Sequence, residues 1–158
     1  MIAAVPSRQT SLDRKADWEL DFYSRPILEP DGKKRWELLI SSTPQLGGEE
    51  PFRYARRCPA GDVNSTWLAE ALREAISAAE AEGWAAPRRL RSWRSAMRTM
   101  VQRAAAAVDL EMVPSRRTYA LIDWMAERDR DVYPQEEGYM AGPLAPPPVP
   151  VSTPSVPL

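Results

Sequence analysis

The chain has 158 residues, of which 44% are hydrophobic and 27% charged, so one soluble domain with its own core is expected. It has no histidine and one cysteine, Cys58, which excludes a Ser-His-Asp triad, a histidine general base and an internal disulfide. No apolar run approaches the roughly 20 residues that cross a bilayer, and the N-terminus lacks the apolar run of a secretory signal. We therefore expect an intracellular protein.

The charge is unevenly distributed along the chain, although the formal net charge is only -1. Residues 51–103 carry 10 basic side chains, all of them arginine, against 5 acidic ones. The guanidinium group binds phosphate through a two-pronged fork and stacks on nucleic-acid bases, whereas lysine acts more as a point charge. The middle of the chain is therefore predicted to face an anionic partner.

Two alternating runs around a turn open the predicted folded part: WELDFYSRP, which starts at Trp18, and KKRWELLIS, which starts at Lys33. The sequence Pro30-Asp31-Gly32 between them favours a turn, because proline presets one dihedral angle and glycine accepts a positive one. The two runs therefore predict a β-hairpin. Its alternation places Trp18, Leu20 and Phe22 on one face and Glu19, Asp21 and Tyr23 on the other. A third run, Pro51–Cys58, predicts a short strand at or near a sheet edge.

The hydrophobic period then changes from 2 to 3.6. Apolar side chains at helical spacing from Leu68 to Ala79, with Asn64 or Ser65 as N-cap and Gly83 as a stop, predict a first helix.

Two further helices are predicted, each after a short extended segment. The segment Pro87–Arg94 precedes a helix whose apolar positions run from Met97 to Val108, with Ser95 as its cap. The segment Leu110–Pro114 precedes a helix from about Thr118 to Arg130. The predicted inner face of this third helix consists of Leu121, Ile122 and Met125.

The elements follow the order β-β-β-α-β-α-β-α, which predicts an α/β fold with a mixed sheet covered by helices. Ribonuclease H-like folds share this order. The expected organisation is a flexible N-terminus at residues 1–16, a folded domain at 17–138 and a proline-rich tail or linker at 139–158. The tail is predicted to be disordered, because its 7 prolines can neither join a sheet nor continue a helix. It would serve as a linker or as a proline-rich ligand.

Three carboxylates of the hairpin, Glu19, Asp21 and Glu37, are predicted to share a polar face, close enough to bind one divalent cation. A ribonuclease H-like nuclease would need another carboxylate at the end of the strand that follows the first helix, but the segment Arg88–Arg94 offers arginines there. Those guanidinium groups would repel a magnesium ion. We therefore expect no metal, no cofactor and no catalytic residue, and we expect the carboxylates to form surface ion pairs with arginine or lysine.

Basic clusters fall at the predicted ends of strands and helices, with aromatic side chains among them. Arginine beside exposed aromatic rings is typical of single-stranded nucleic-acid binding, because guanidinium takes phosphate and the ring stacks on a base. Helix N-termini near Ser95 and Thr118 would add backbone donors for phosphate. The alternative is that the arginines merely solvate one face and that Trp93 belongs to the core. The candidate RNA-binding residues are Lys33, Lys34, Arg53, Arg56, Arg57, Arg88, Arg89, Arg91, Trp93, Arg94, Arg98, Arg116, Arg117 and Tyr119.

Three segments resemble one known protein family. The hairpin WELDFYSRPILEPDGKKRWELLI, from Trp18 to Ile40, resembles the opening signature of the Tab-two (Atab-two) RNA-binding family of plants, algae and cyanobacteria. The segment Arg91–Met97 resembles the family's arginine-aromatic-arginine-Ser-x-Met sequence, and Val113–Arg117 resembles its Val-Pro-Ser-Lys/Arg-Arg sequence. The resemblance covers about residues 17–139. It implies an RNA-binding factor for translation of photosystem messages and photosystem assembly, and it implies no catalytic residues.

The expected function is therefore noncatalytic binding of RNA, with messenger RNA of photosystem subunits as the implied partner. The expected location is the cytoplasm of a cyanobacterium, or the chloroplast stroma in a plant or alga, with no membrane span. Replacing Arg91, Arg94 and Arg98 together is expected to weaken RNA binding without unfolding the domain. Two alternatives stay open: an assembly scaffold that binds photosystem or translation proteins, and a metal-dependent nuclease.

Overall fold

The structure, a computed structural model, describes residues 17–44, 48 and 50–141. The predicted flexible N-terminus at 1–16 and residues 142–158 of the predicted tail lie outside the described residues. The described part contains a five-stranded sheet in the order β3-β2-β1-β4-β5, with three α-helices on its faces. Its strands are β1 (Asp17–Leu28), β2 (Lys34–Ser42), β3 (Arg53–Cys58), β4 (Arg89–Ser92) and β5 (Glu111–Pro114). The predicted mixed α/β sheet is confirmed.

The predicted hairpin forms β1 and β2, which pair antiparallel from Trp18 opposite Ser42 to Leu28 opposite Lys34. Gly32 turns the chain at φ +85, the left-handed region that glycine enters without steric cost. Its amide donates to the carbonyl of Glu29 at 2.8 Å and closes the turn.

The three helices are α1 (Ser65–Ala81), α2 (Arg98–Ala107) and α3 (Tyr119–Asp131). The predicted cap of α1 is confirmed, because the Asn64 side chain accepts a hydrogen bond from the Trp67 amide at 2.8 Å. The predicted stop is also confirmed: Gly83 adopts φ +89 just after the helix. The prediction that Ser95 caps α2 is wrong, because residues 95–97 form a separate 3-10 turn without a side-chain cap.

The sheet packs two unequal hydrophobic clusters. One face of β1, with Trp18, Leu20 and Phe22, contacts the apolar faces of α1 and α2 and forms the main core. The opposite face carries a small cluster of Leu39, Leu121 and Trp124 under α3. The prediction that Ile122 lies on the inner face of α3 is wrong: its side chain is 46% exposed, and Trp124 occupies the buried position instead.

Strand direction decides which loops meet. Strand β4 runs parallel to β1, with Glu19 opposite Arg91, and β5 runs parallel to β4, with Ser92 opposite Pro114. The carboxyl ends of β1, β4 and β5 therefore lie at the same end of the sheet. Among the described residues, no helix is long and apolar enough to cross a membrane.

Candidate nucleic-acid interface

The three hairpin carboxylates lie on one face of the sheet, as the alternation predicts. Glu19 and Asp21 of β1 stand opposite Ser41 and Leu39 of β2, and Glu37 stands opposite Tyr23. The expectation that they form surface ion pairs is half right, because all three are paired but none is at the surface. Glu19, Asp21 and Glu37 are 2%, 1% and 3% exposed. Helix α3 and the segment that follows it cover them.

Arg25 lies between Asp21 and Glu37 and is itself buried. Its Nη1 donates to Asp21 Oδ2 at 2.9 Å, and its Nε donates to Glu37 Oε1 at 3.2 Å. Desolvation opposes the guanidinium charge, but Asp21, Tyr133 and Glu37 together raise the pKa of Arg25 above its ordinary value. Arg25 therefore stays protonated and holds the two carboxylates together.

Two more arginines complete this buried network. Arg94 donates to both oxygens of Asp21, with Nη2 at 3.2 Å from Oδ2. Arg128 donates to Glu37 Oε2, and the hydroxyl of Tyr133 donates to the other oxygen of Glu37. Each carboxylate thus accepts from charged donors on both sides, the arrangement that makes a buried charge tolerable.

The side-chain carboxylate of Glu19, on β1, lies at the N-terminus of α3. Its Oε1 accepts from the backbone amide of Leu121 at 3.0 Å, and its Oε2 accepts from Thr43 Oγ1 at 2.8 Å and Arg91 Nη2 at 3.4 Å. An acidic side chain is favourable at a helix N-terminus, where the peptide dipoles leave a partial positive charge. The expectation that this N-terminus is open to phosphate therefore needs correcting, since Glu19 already takes one of its amides.

This pairing bears on the nuclease alternative. Metal-dependent hydrolysis needs carboxylates with oxygens free to coordinate a cation. Here guanidinium groups contact Glu19, Asp21 and Glu37. In the described part of the chain, no group of three or more Asp, Glu, His or Cys side chains is arranged to hold a metal ion.

Six of the candidate RNA-binding arginines are engaged by carboxylates. On β3, Arg53 pairs with Glu127, Arg56 with Glu74 and Arg57 with Glu136; on and after β4, Arg89 pairs with Asp17, Arg91 with Asp17 and Glu19, and Arg94 with Asp21. The expectation that Arg91, Arg94 and Arg98 can be replaced together without unfolding the domain therefore needs correcting. Two of the three neutralise buried carboxylates.

The other basic candidates are exposed. Within the described residues, no hydrogen bond or ion pair engages the side chains of Lys33, Lys34, Arg98, Arg116 and Arg117. Lys33 and Lys34 lie at the hairpin turn, and the three arginines lie beyond the carboxyl ends of β4 and β5. Arg88 is exposed too, but it precedes β4 at the opposite end of the sheet.

The loops after β4 and β5 are neighbours, and we name them together the β4/β5 edge: residues 93–98 and 115–119. The amide of Ser115 donates to the carbonyl of Ser92 at 3.0 Å, which holds the two loops side by side. The guanidinium of Arg94 lies between two rings, 4.2 Å from the centre of Trp93 and 3.9 Å from that of Tyr23. Tyr119 is 68% exposed at the start of α3. The same two loops thus carry an exposed aromatic ring and three arginines without a partner among the described residues.

Buried polar atoms without a hydrogen-bond partner also concentrate here. Among the described residues they are Arg91 Nε, Trp93 Nε1 and Thr118 Oγ1. Buried polar groups are nearly always hydrogen-bonded, so such atoms call for an explanation in each structure. Thr118 precedes α3, and its hydroxyl has no capping role because Glu19 holds the Leu121 amide. All three atoms lie in or beside the β4/β5 edge.

The sequence predictions missed Arg25, Arg128 and Tyr133, which organise the buried network, and also Glu136, which pairs with Arg35 and Arg57. Arg25 carries a signal that could have been used, because it continues the alternate positions of Glu19, Asp21 and Tyr23 along β1. The other three lie in or after α3, far from the hairpin in sequence, and no spacing rule connects them to it.

Comparison with known proteins gives one family and two similar relatives. The profile of the family described as RNA-binding protein Tab2/Atab2 N terminal matches residues 17–128. A "Protein TAB2 homolog, chloroplastic" of Zea mays is 40% identical over 126 residues, which are 80% of this chain and 30% of the relative. The protein of the same name in Arabidopsis thaliana is 32% identical over 136 residues, 86% of this chain and 34% of the relative. The chain thus spans about a third of the length of these relatives.

Among solved structures, the chain is similar to one in the simian T-cell lymphotropic virus intasome in complex with PP2A regulatory subunit B56 gamma. The TM-score is 0.44 at 12% identity, over 70% of this chain and 37% of that one. A likeness of this size supports no conclusion about function.

Proposed function

The chain belongs to the Tab2/Atab2 family of RNA-binding proteins, and from this premise we propose that it is a noncatalytic domain that binds single-stranded RNA at the β4/β5 edge. The observation that carries the proposal is that the two adjacent loops of this edge carry Arg98, Arg116 and Arg117, which are exposed and have no described partner, together with the exposed ring of Tyr119. Phosphates would contact the guanidinium groups, and a base would stack on Tyr119.

Tyr119 suits stacking better than Trp93. Trp93 is half-buried, and one face of its ring already carries the Arg94 guanidinium. The indole nitrogen of Trp93 and the hydroxyl of Thr118 are donors without partners at the same edge. They would donate to RNA oxygens if the loop at residues 115–118 shifted on binding.

The ion-paired arginines have a supporting role in this proposal. Arg89, Arg91 and Arg94 neutralise β1 carboxylates and fix the position of the β4 loop. RNA contacts by these three and by the β3 arginines would require breaking ion pairs. Their direct contact with RNA stays a prediction, and the exposed Arg88 is included in it.

The same ion pairs support the proposal that the domain is noncatalytic. The strand order β3-β2-β1-β4-β5, with β1, β4 and β5 parallel, supports a ribonuclease H-like arrangement. In this chain, however, arginine side chains form ion pairs with the carboxylates that would have to bind a metal. The domain would thus keep a nuclease-like sheet and use it as a binding scaffold.

The proposed biological role is translation of photosystem messages and assembly of photosystems, in a chloroplast or a cyanobacterium. The family's RNA-binding description and the chloroplastic relatives support it. Because the chain covers about a third of those relatives, the part of this role that we propose for the chain itself is contact with RNA.

The test is fluorescence anisotropy with a labelled single-stranded oligouridylate of about 16 nucleotides. Replacing Arg98, Arg116 and Arg117 with glutamine is expected to weaken binding by about 100-fold or more at low salt, since three phosphate contacts are lost. The matched control removes the same charge from exposed helix positions elsewhere: Arg73, Arg103 and Arg130, also to glutamine. Equal losses in the two variants would contradict a localised site.

Two further measurements separate the alternatives. Tyr119→Ala is expected to lower affinity by about tenfold if a base stacks on the ring. Addition of Mg²⁺ or Mn²⁺ should leave the RNA intact; metal-dependent cleavage by the unmodified chain would favour the nuclease. A protein that co-purifies with the domain while RNA does not would favour the assembly scaffold.

A further inference from the structure

A groove of about 510 Å³ lies at the turn of the hairpin and shares no residue with the β4/β5 edge. We name it the hairpin groove. Its lining consists of Glu29, Pro30, Asp31, Lys33, Lys34, Arg57, Cys58, Pro59, Ala60 and Gly61. The turn between β1 and β2 forms one wall, and the chain that leaves β3 forms the other.

The cations of the hairpin groove are more available than its carboxylates. Glu29 accepts from Arg35 Nε at 2.9 Å, which neutralises it. Asp31 accepts a hydrogen bond from the backbone amide of Lys33 and stays exposed. Lys33 and Lys34 are exposed, with no side-chain partner among the described residues, and Arg57 is 59% exposed even though it pairs with Glu136. The groove therefore attracts anions weakly, and Pro30, Pro59 and Ala60 add apolar surface to its lining.

The hairpin groove and the β4/β5 edge lie at the same end of the sheet. Leu20 is level with Ser92, at the carboxyl end of β4, and the hairpin turn follows Leu28, eight residues further along β1. At the rise of an extended strand these eight residues span about 26 Å along the strand direction. Residues 138–140 pair with β1 in between, through the bridge of Ile27 and Tyr139.

We propose that the hairpin groove is a second contact for the RNA strand that the β4/β5 edge binds, so that the ligand is an extended single strand spanning both. The inference rests on the proposed function. A phosphate would contact Lys33, Lys34 or Arg57, and the adjacent sugar or base would pack on Pro30 and Pro59. A strand too short to span the separation gains nothing from the groove. A longer strand gains from the high effective concentration of its second half.

The experiment compares labelled oligouridylates of about 4, 8, 12 and 16 nucleotides on the unmodified chain and on the Lys33→Gln, Lys34→Gln double variant. Neither lysine side chain has a described partner, so the variant should fold normally. Its affinity for the longest strands is expected to fall by about tenfold, and its affinity for the shortest to stay unchanged. Arg73→Gln with Arg103→Gln removes the same charge and should lower affinity for every length alike, by less.

Two results would overturn the second contact. One is a loss in the lysine variant that is the same at every length, because a general field effect explains it. The other is no loss for the longest strand while the variant of Arg98, Arg116 and Arg117 still binds it poorly; this result leaves the proposed function standing. If the unmodified chain binds no strand of any length, both proposals fail.

Discussion

Replacing Asp21 with asparagine tests whether the hairpin carboxylates have a structural role. Asp21 is 1% exposed and accepts from Arg25 and Arg94, whose side chains are 4% and 19% exposed. Asparagine has nearly the same shape but no charge. It leaves Arg94 without a carboxylate partner and Arg25 with Glu37 alone.

The expected loss in the free energy of unfolding follows from this burial. Removing one partner of a buried ion pair costs about 3–5 kcal/mol, because the charge left behind is desolvated and unpaired. The asparagine oxygen can still accept one hydrogen bond, so we expect a loss near the lower end, about 3 kcal/mol. In urea, with a slope of about 1–3 kcal/mol per molar, the unfolding midpoint should fall by about 1–3 M.

The matched control is an exposed pair. Arg56 Nη1 lies 3.2 Å from Glu74 Oε1, and the two side chains are 36% and 58% exposed. Glu74→Gln should cost no more than about 1 kcal/mol, the usual contribution of a solvent-exposed ion pair. If Asp21→Asn unfolds at the same urea concentration as Glu74→Gln, the structural role argued for the buried carboxylates is refuted.

Three other predictions concern the backbone, the thiol and acid stability. Gly138→Ala should destabilise the domain by about 2 kcal/mol or more, because Gly138 has φ +90 and a Cβ there would collide with a backbone carbonyl, whereas Gly61→Ala, with open space around it, should be neutral in the same urea titration. Burial raises the pKa of the Cys58 thiol to about 11, so iodoacetamide at pH 8 should alkylate it about 100-fold more slowly in the folded chain than in urea; equal rates would contradict this. The hydrogen bond from Arg35 lowers the pKa of Glu136 below its ordinary 4.5, so its stabilisation is present above pH 4.5 and lost as the pH falls through the lowered value. Glu136→Gln should therefore flatten the acid side of the stability profile, and an unchanged profile would contradict the assignment.

Periodicity predicted the elements well because local rules determine them. The alternation from Trp18 to Phe22 identified the core face of β1, and Asn64 and Gly83 marked the ends of α1. The family resemblance at residues 18–40 was also visible in the sequence and is confirmed by the match to 17–128.

Periodicity could not predict which arginines are free of carboxylate partners and so available to bind RNA. Alternation places Asp21 on a polar face but does not reveal that α3 covers that face. The partners of Asp21 and Glu37 include Arg94 and Arg128, which lie 73 and 91 residues away along the chain. Whether a guanidinium is neutralised therefore depends on tertiary contacts, and a count of basic residues overstates the cationic surface. Only the fold separates the paired Arg94 from the unpaired Arg98.

The salt dependence of RNA binding tests the central claim most directly, because it counts neutralised phosphates. For single strands, the slope of log affinity against log salt changes by about 0.7 for each phosphate contact. Replacing Arg98, Arg116 and Arg117 should make the slope shallower by about 2, whereas replacing Arg73, Arg103 and Arg130 should leave it nearly unchanged. An unchanged slope in the first variant would show that the β4/β5 edge does not bind the RNA backbone.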